Sequence, residues 1–313
     1  MATGVNITTT YAGAFAGEYI SAALLSANTL ADNAITIKPN IKFETTIKKG
    51  VLSDLIKAQT CRSSPTGVIT LTERKLKPKA LQVDMEICKG DFRDDWEAEQ
   101  MGFGAWDSLP PVFEQWLLME LLASVAGSIE TMVWNGAVST DTFQGFIPLL
   151  KADTDVVDVA GTATITAANV ISEAKLVANA IPKNVWLKED CLLYMSADVA
   201  RLYIDALGGF AAVATSNAGL EDKGPMWSNM QTKNNLSVNG IPVYVANGMP
   251  NGYMIAAEKS NLWFGTGLLN ENNYVAIKDM QESQLIEIVK FVMKFTSAVN
   301  YGIGKDIVLY TPS

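Results

Sequence analysis

The stretch LPPVFEQWLLMELLASVAGSIETMVW, residues 109–134, constrains this chain more than any other. Ser108 supplies an N-cap, Pro110 and Pro111 fall in the first turn, and Asn135-Gly136 ends the run. Between them Val112, Trp116, Met119, Leu122, Ala126, Ile129 and Val133 recur at helical spacing, with Leu117, Leu121, Val125 and Met132 widening the stripe. About 26 residues at the standard rise make a helix of roughly 39 Å, long for one domain. Such a face must be covered along its length, so the rest of the chain folds around it.

Two alternating segments suit that task. In LQVDMEIC, residues 81–88, Leu81, Val83, Met85 and Ile87 share one face, with Asp84 and Glu86 on the other. In residues 284–296 Leu285, Val289, Phe291, Met293 and Phe295 form an apolar face opposite Lys290 and Lys294. Gly302-Ile303-Gly304-Lys305 superficially resembles a phosphate loop, but Asp306 and a strand follow where Ser or Thr and a helix are required. The glycines read as a turn with positive φ angles. Ile307–Tyr310 is then expected to pair back as a hairpin, inside the sheet beside the long helix.

Elsewhere, residues 17–32 carry helical periodicity. Residues 35–48 and 68–76 are β-rich and flank the turn signals Ser63-Ser64-Pro65-Thr66-Gly67. Together they predict a long two-stranded excursion with too few large residues to form its own core. From 155 to 247 helices and strands alternate: helix 167–181, strand 192–195, a helix capped by Ser196 through Leu207, a long loop over 208–235 and strand 240–245. Short strands follow at 253–256, 261–264 and 274–277.

The absence of histidine removes the commonest general base and metal ligand. With no histidine, Ser-His-Asp triads, Cys-His pairs and HExxH zinc sites are impossible. Cys61, Cys88 and Cys191 form neither a CxxC pair nor a disulfide framework, which predicts inert or buried thiols in a reducing compartment. No secretory signal and no run of 18 apolar residues is present. Carboxylate chemistry stays open at Asp91, Asp94, Asp95, Glu97 and Glu99, which lack calcium-loop spacing and suit a helix start. No cofactor or metal is expected.

Charge is segregated. Residues 36–80 hold ten Lys/Arg against three Asp/Glu, a net of +7, and residues 81–120 hold two against ten, a net of −8. The basic excursion either binds nucleic acid or lies on the acidic body of an identical neighbour. The overall charge of −9 and the lack of interleaved aromatics favour the neighbour. The candidate inter-subunit residues are Lys48, Lys49 and Lys57 against Asp91, Asp94, Asp95, Glu97 and Glu99.

The order of arm, excursion, strand, long helix, α/β lobe and closing strands resembles the major capsid proteins of tailed bacteriophages, with the Hong Kong phage type of shell fold. The phrases QGFIPLLK (144–151), VNGIPV (238–243), MPNGY (249–253), NLWFGTG (261–267) and YGIGKDIVLY (301–310) carry the likeness. The resemblance implies an α+β fold. It has an N-terminal arm (1–35), an extended loop over a neighbouring subunit (36–80) and a peripheral domain with a spine helix (81–150 and 248–313). An axial α/β domain (151–247) completes it. It also implies a structural protein without catalysis, assembling as pentamers and hexamers into an icosahedral head around double-stranded DNA. Portal, scaffolding and decoration proteins would be partners, DNA would be met only by non-specific proximity, no membrane would be involved, and the virion would be built in the host cytoplasm. With few residues ahead of Ile35, either scaffolding comes from another protein or the chain has been shortened. Some members join a loop lysine to an asparagine; Lys48, Lys49 and Lys57 lie in the corresponding loop, with no partner assigned. An encapsulin-like compartment shell is the alternative within the fold, and a carboxylate-dependent hydrolase at Asp91–Glu99 the alternative outside it.

Overall fold

The computed structural model describes residues 10–12, 28–41, 43–53, 56, 68–88, 111–137, 139, 142–207, 236–267, 274–280 and 288–313. The chain opens with β1 (Thr10–Ala12), a short helix α1 (Asn28–Ala31) and β2 (Thr36–Lys38). β3 (Thr45–Ser53), β4 (Val68–Leu76) and β5 (Lys79–Cys88) follow, then the long helix α2 (Pro111–Asn135) and α3 (Phe146–Ala152). Next come β6 (Val157–Ala160), α4 (Val170–Ala180), α5 (Lys183–Trp186), β7 (Cys191–Ser196) and α6 (Ala197–Ala206). The remaining strands are β8 (Ser237–Val238), β9 (Ile241–Ala246), β10 (Met254–Glu258), β11 (Leu262–Thr266), β12 (Tyr274–Asp279), β13 (Ile288–Tyr301) and β14 (Val308–Thr311).

Three sheets result. The first runs β1-β12-β13-β11-β2, with β5 also paired to β13. The second runs β6-β14-β10-β7-β9-β8, and β3 and β4 form a separate two-stranded ribbon. β13, at 14 residues the longest of these strands, carries the first sheet: it bonds antiparallel to β5, β12 and β11. The period-two pattern decides its orientation. Val289, Phe291, Met293 and Phe295 are buried while Lys294 is exposed, and on β5 residues 81, 83, 85 and 87 are the more enclosed set.

α2 lies in the core between the two larger sheets. Ile129, Val133 and Trp134 are fully buried, in one cluster with Phe264, Phe291 and Tyr301 of the first sheet and Tyr194, Ile255 and Leu309 of the second. Trp134 stacks obliquely on Phe146 (5.6 Å) and Tyr194 (5.3 Å), fastening the end of the helix to both α3 and β7. The second sheet is covered on its other face by α4 and α6, through Val177, Val199 and Tyr203. Its central strands are accordingly buried on both faces.

Several expectations are corrected here. The ribbon begins at Thr45, because Thr36–Lys38 instead pair in parallel with Trp263–Gly265 in the first sheet. Of the helix expected over 17–32, residues 28–31 are helical and 17–27 lie outside the described residues. Ser196 precedes α6 as expected, but its buried hydroxyl makes no hydrogen bond there. The largest change concerns residues 307–310. They do not fold back on β13; β14 enters the second sheet, antiparallel to β10 and parallel to β6. Residues 248–313 therefore divide between the two larger sheets. Gly302 and Gly304 are not in the left-handed region, which the described glycines occupy at Gly240 and Gly252. Their reason is close approach: a Cβ would meet Asn261 Oδ1 at 2.9 Å from Gly302, and Asp153 Oδ2 at 2.9 Å from Gly304.

Residues 301–310 are held firmly by this arrangement. Ile307 and Leu309 enter the α2 core, while Val308 and Tyr310 enter the cluster beneath α4. Four buried side chains at about 1.5–3 kcal/mol each approach the whole stability of a domain. Deleting 306–313 should leave no soluble folded subunit, and Leu309→Ala should cost about 2–5 kcal/mol in denaturant titration. Normal folding of the deletion, read by circular dichroism and sedimentation, would contradict the packing described.

Candidate assembly surface

The β3–β4 ribbon is paired in register from Thr45↔Leu76 to Ser53↔Val68 and, among the described residues, shares no strand pairing with either larger sheet. Its foot is the part that is fastened. Leu76 is fully buried against Ile41 and Ala298, and Asn300 Nδ2 donates to the Lys75 carbonyl at 2.8 Å. Beside them the Arg74 guanidinium donates to Asp153 Oδ2 and lies 4.2 Å from the centre of the Tyr301 ring. The Tyr301 hydroxyl donates to the same carboxylate at 2.7 Å. Burial works against the charge on Asp153, but the Asp155 amide, the Tyr301 hydroxyl and Arg74 together hold its carboxyl below the ordinary value of 3.8.

Along the ribbon's foot lies a row of lysines. Lys75 and Lys77 both approach Glu44, at 3.2 and 3.7 Å, and the Lys75 hydrogen bond leads the forces holding the Glu44 carboxyl down. Lys79 donates to the carbonyls of Ser139 and Thr142. These lysines, with Thr142, Gln144 and Asn300, line an open cleft of about 260 Å³. Nearby Phe43 is 84% exposed, and Ile56, farther along the excursion, is 97% exposed. Large apolar side chains so open, on either side of β3 in sequence, suit burial against another molecule.

Of the residues singled out from sequence, Lys48 is described: it is exposed and meets Glu73 across the ribbon at 3.3 Å. Lys49 sits on β3 opposite Thr72, with its side chain outside the described set. Lys57, Asp91, Asp94, Asp95, Glu97 and Glu99 lie outside the described residues, so the candidate contact pairs are not brought together here. The Arg74–Asp153–Tyr301 anchor was not anticipated, because its members are 79 and 148 positions apart and no local pattern links them. The lysines at alternate positions 75, 77 and 79 were the available signal for the cleft.

No cluster of His, Cys, Asp and Glu suited to a metal exists among the described residues. Among these, no helix is long and apolar enough to cross a membrane. Burial pushes the Cys191 thiol up to about 11, which keeps it protonated and unreactive at neutral pH. Cys88 is free and exposed, and Cys61 lies outside the described residues.

A two-stranded ribbon, a long helix packed against two sheets and an α/β layer define an α+β fold. Solved structures place it: the chain has the fold of tailed-phage major capsid proteins. It is similar to the capsid of a native GTA particle (TM-score 0.58, 14% identity, 93% of this chain and 90% of that one). It is similar to the capsid of Myoviridae phage XM1 (TM-score 0.55, 11% identity, 91% and 92%). It also resembles a structure from Mycobacterium phage Cain (TM-score 0.55, 12% identity, 92% and 90%). No protein-family model matches the sequence, and no curated protein does.

The anchor makes a pH prediction. A carboxyl held lower in the folded than in the unfolded chain contributes fully above the unfolded value, near 3.8, and loses that contribution as pH falls through the folded value. The wild-type thermal midpoint should therefore drop below about pH 4 by an increment that Asp153→Asn lacks. At pH 7 the variant should lose about 1–3 kcal/mol. An identical acid profile for the two proteins would dismiss the anchor.

Proposed function

We propose that this chain is a major capsid protein, a structural subunit that self-assembles into an icosahedral phage head enclosing double-stranded DNA. The observation that carries this reading is structural agreement over about nine-tenths of both chains with solved phage and GTA capsids. The ribbon adds independent support: a two-stranded hairpin flanked by the exposed Phe43 and Ile56 suits a partner surface. A shell of identical copies provides one at every subunit.

In this reading the loop of residues 36–80 reaches over a neighbour, and Lys48, Lys49 and Lys57 meet the acidic stretch Asp91, Asp94, Asp95, Glu97 and Glu99 of another copy. The peripheral part is built by 81–150 with 248–313, and the axial part by 151–247, with β10 and β14 stitching the two together. The subunit is not a catalyst and takes no cofactor. Its partners are further copies in pentamers and hexamers, then portal, scaffolding and decoration proteins. DNA is met by non-specific proximity inside the virion, whose head is assembled in the host cytoplasm.

Electron micrographs and sedimentation of the purified protein should reveal rings or closed shells; a compact folded monomer over a wide concentration range would refute the proposal. Reversing Lys48, Lys49 and Lys57 to Glu should reduce particle yield while far-UV circular dichroism stays unchanged. Single exposed pairs contribute about 1 kcal/mol or less, but the contact repeats at each subunit. Unchanged yield at low and moderate salt would remove these lysines from the interface.

A further inference from the structure

We infer that the hydroxyls of Thr266 and Ser297 hold an ordered water molecule inside the first sheet, beside the cleft at the foot of the ribbon. The site belongs to the single subunit and stands independently of the capsid reading.

Register places the two side chains. Thr266 ends β11 and lies directly opposite Ser297 of β13. Two backbone bonds fix the kind of pair: the Gly267 amide donates to the Thr296 carbonyl at 3.2 Å, and the Gly302 amide to the Asn261 carbonyl at 3.0 Å. Hydrogen-bonded pairs therefore fall at the odd-numbered positions along β11. Thr266 and Ser297 form a pair of the closer, non-hydrogen-bonded kind, with Cβ atoms about 4.5–5.5 Å apart. Both point to the inner face, in line with Phe264, Phe295 and Val299.

Thr266 is 1% exposed and Ser297 0%, and neither hydroxyl has a hydrogen-bond partner among the described residues. A buried hydroxyl left in that condition is costly, and here two adjoin. The chemistry of the pair selects what satisfies it. Each hydroxyl offers one donor and two lone pairs, and neither carries charge. The side chains beside them are hydrocarbon, so an ion would lose its hydration without a counter-charge. Water both donates and accepts, and one molecule between the strands satisfies both oxygens at once. The hydroxyls do not bond each other directly, and the stiff χ1 of the β-branched threonine resists turning its oxygen across.

Access comes from the cleft. Lys79 stands opposite Ser297 on its other flank, and Val299 is the next residue on the same face of β13. Both line the cleft of about 260 Å³. The Lys79 ammonium donates to the Ser139 and Thr142 carbonyls, so it marks the mouth without competing for the hydroxyls. Ser297 thus adjoins an open cleft while its own oxygen stays covered.

The test uses the full chain. A crystallographic or electron-microscopy map that resolves water should show a peak within about 2.7–3.2 Å of both oxygens. A direct Thr266–Ser297 hydrogen bond, or no peak between the two, overturns the inference. Thermal midpoints give a second reading, on variants whose far-UV circular dichroism matches the wild type. Thr266→Val and Ser297→Ala should each lower the midpoint by about 2–4 °C. The double variant should fall no further than the worse single one, since either change removes the same bridge. Single variants with raised midpoints would mark hydroxyls buried without any partner, and additive losses would mark two unrelated contacts; either result overturns the inference. Where a variant fails to fold, the wild-type map decides.

Discussion

Burial of one end of α2 is the interaction on which the rest depends. Ile129, Val133 and Trp134 are enclosed completely, and their neighbours come from both larger sheets. The first sheet has one apolar face, and α2 is part of what covers it. The second sheet is covered by α4 and α6 on one side and needs the α2 cluster on the other. Neither layer would keep its inner face dry alone, so the helix makes one cooperative unit of segments scattered along the chain.

The same turn of helix holds a polar device. Glu130 is buried, yet its carboxylate accepts from the Thr29 amide at 3.0 Å, the Thr29 hydroxyl and the Trp134 indole at 3.2 Å. Satisfied in this way, a buried charge specifies position at modest cost; stripped of its donors it would be strongly destabilising. The tyrosines of the second sheet extend the clamp. Tyr194 donates to the Ala34 carbonyl at 2.6 Å, and Tyr244 to the Asn28 carbonyl and Asp32, both at 2.9 Å. Residues 28–35 are thereby fixed against α2 and the second sheet, and β2 leaves in line to join β11.

What could be read from the sequence follows from how strongly each pattern is directional. Strands with one polar face, such as 81–88 and 289–295, declared their orientation, and the apolar stripe of 109–134 declared a buried helix. Ile307–Tyr310 did not declare its sheet, because it is apolar on both faces and lacks a polar side to orient it. Proximity in sequence then suggested a hairpin with β13, and tertiary packing chose otherwise. Trp134 and Glu130 were hidden because an indole and a carboxylate become core groups only when Thr29 and Tyr194 are brought to them. At the candidate assembly surface the charge split was legible, but Arg74 looked like one more cation of a basic run. Its distinction comes from Asp153 and Tyr301, which no spacing rule connects to it.

The place of β14 also orders events in time. Among the described residues β6 pairs with β14 alone, and the bond between Asp158 and Thr311 joins positions 153 apart. During synthesis the second sheet therefore waits, its β6 edge unpaired, until the strand of residues 308–311 has left the ribosome. Chains broken off before that point keep an open sheet and an uncovered α2 face, so they fold into no proper building block. The fold thus inspects each copy for length: a chain that lacks its last strand leaves β6 and β10 without the partner that lies between them, and the core stays open.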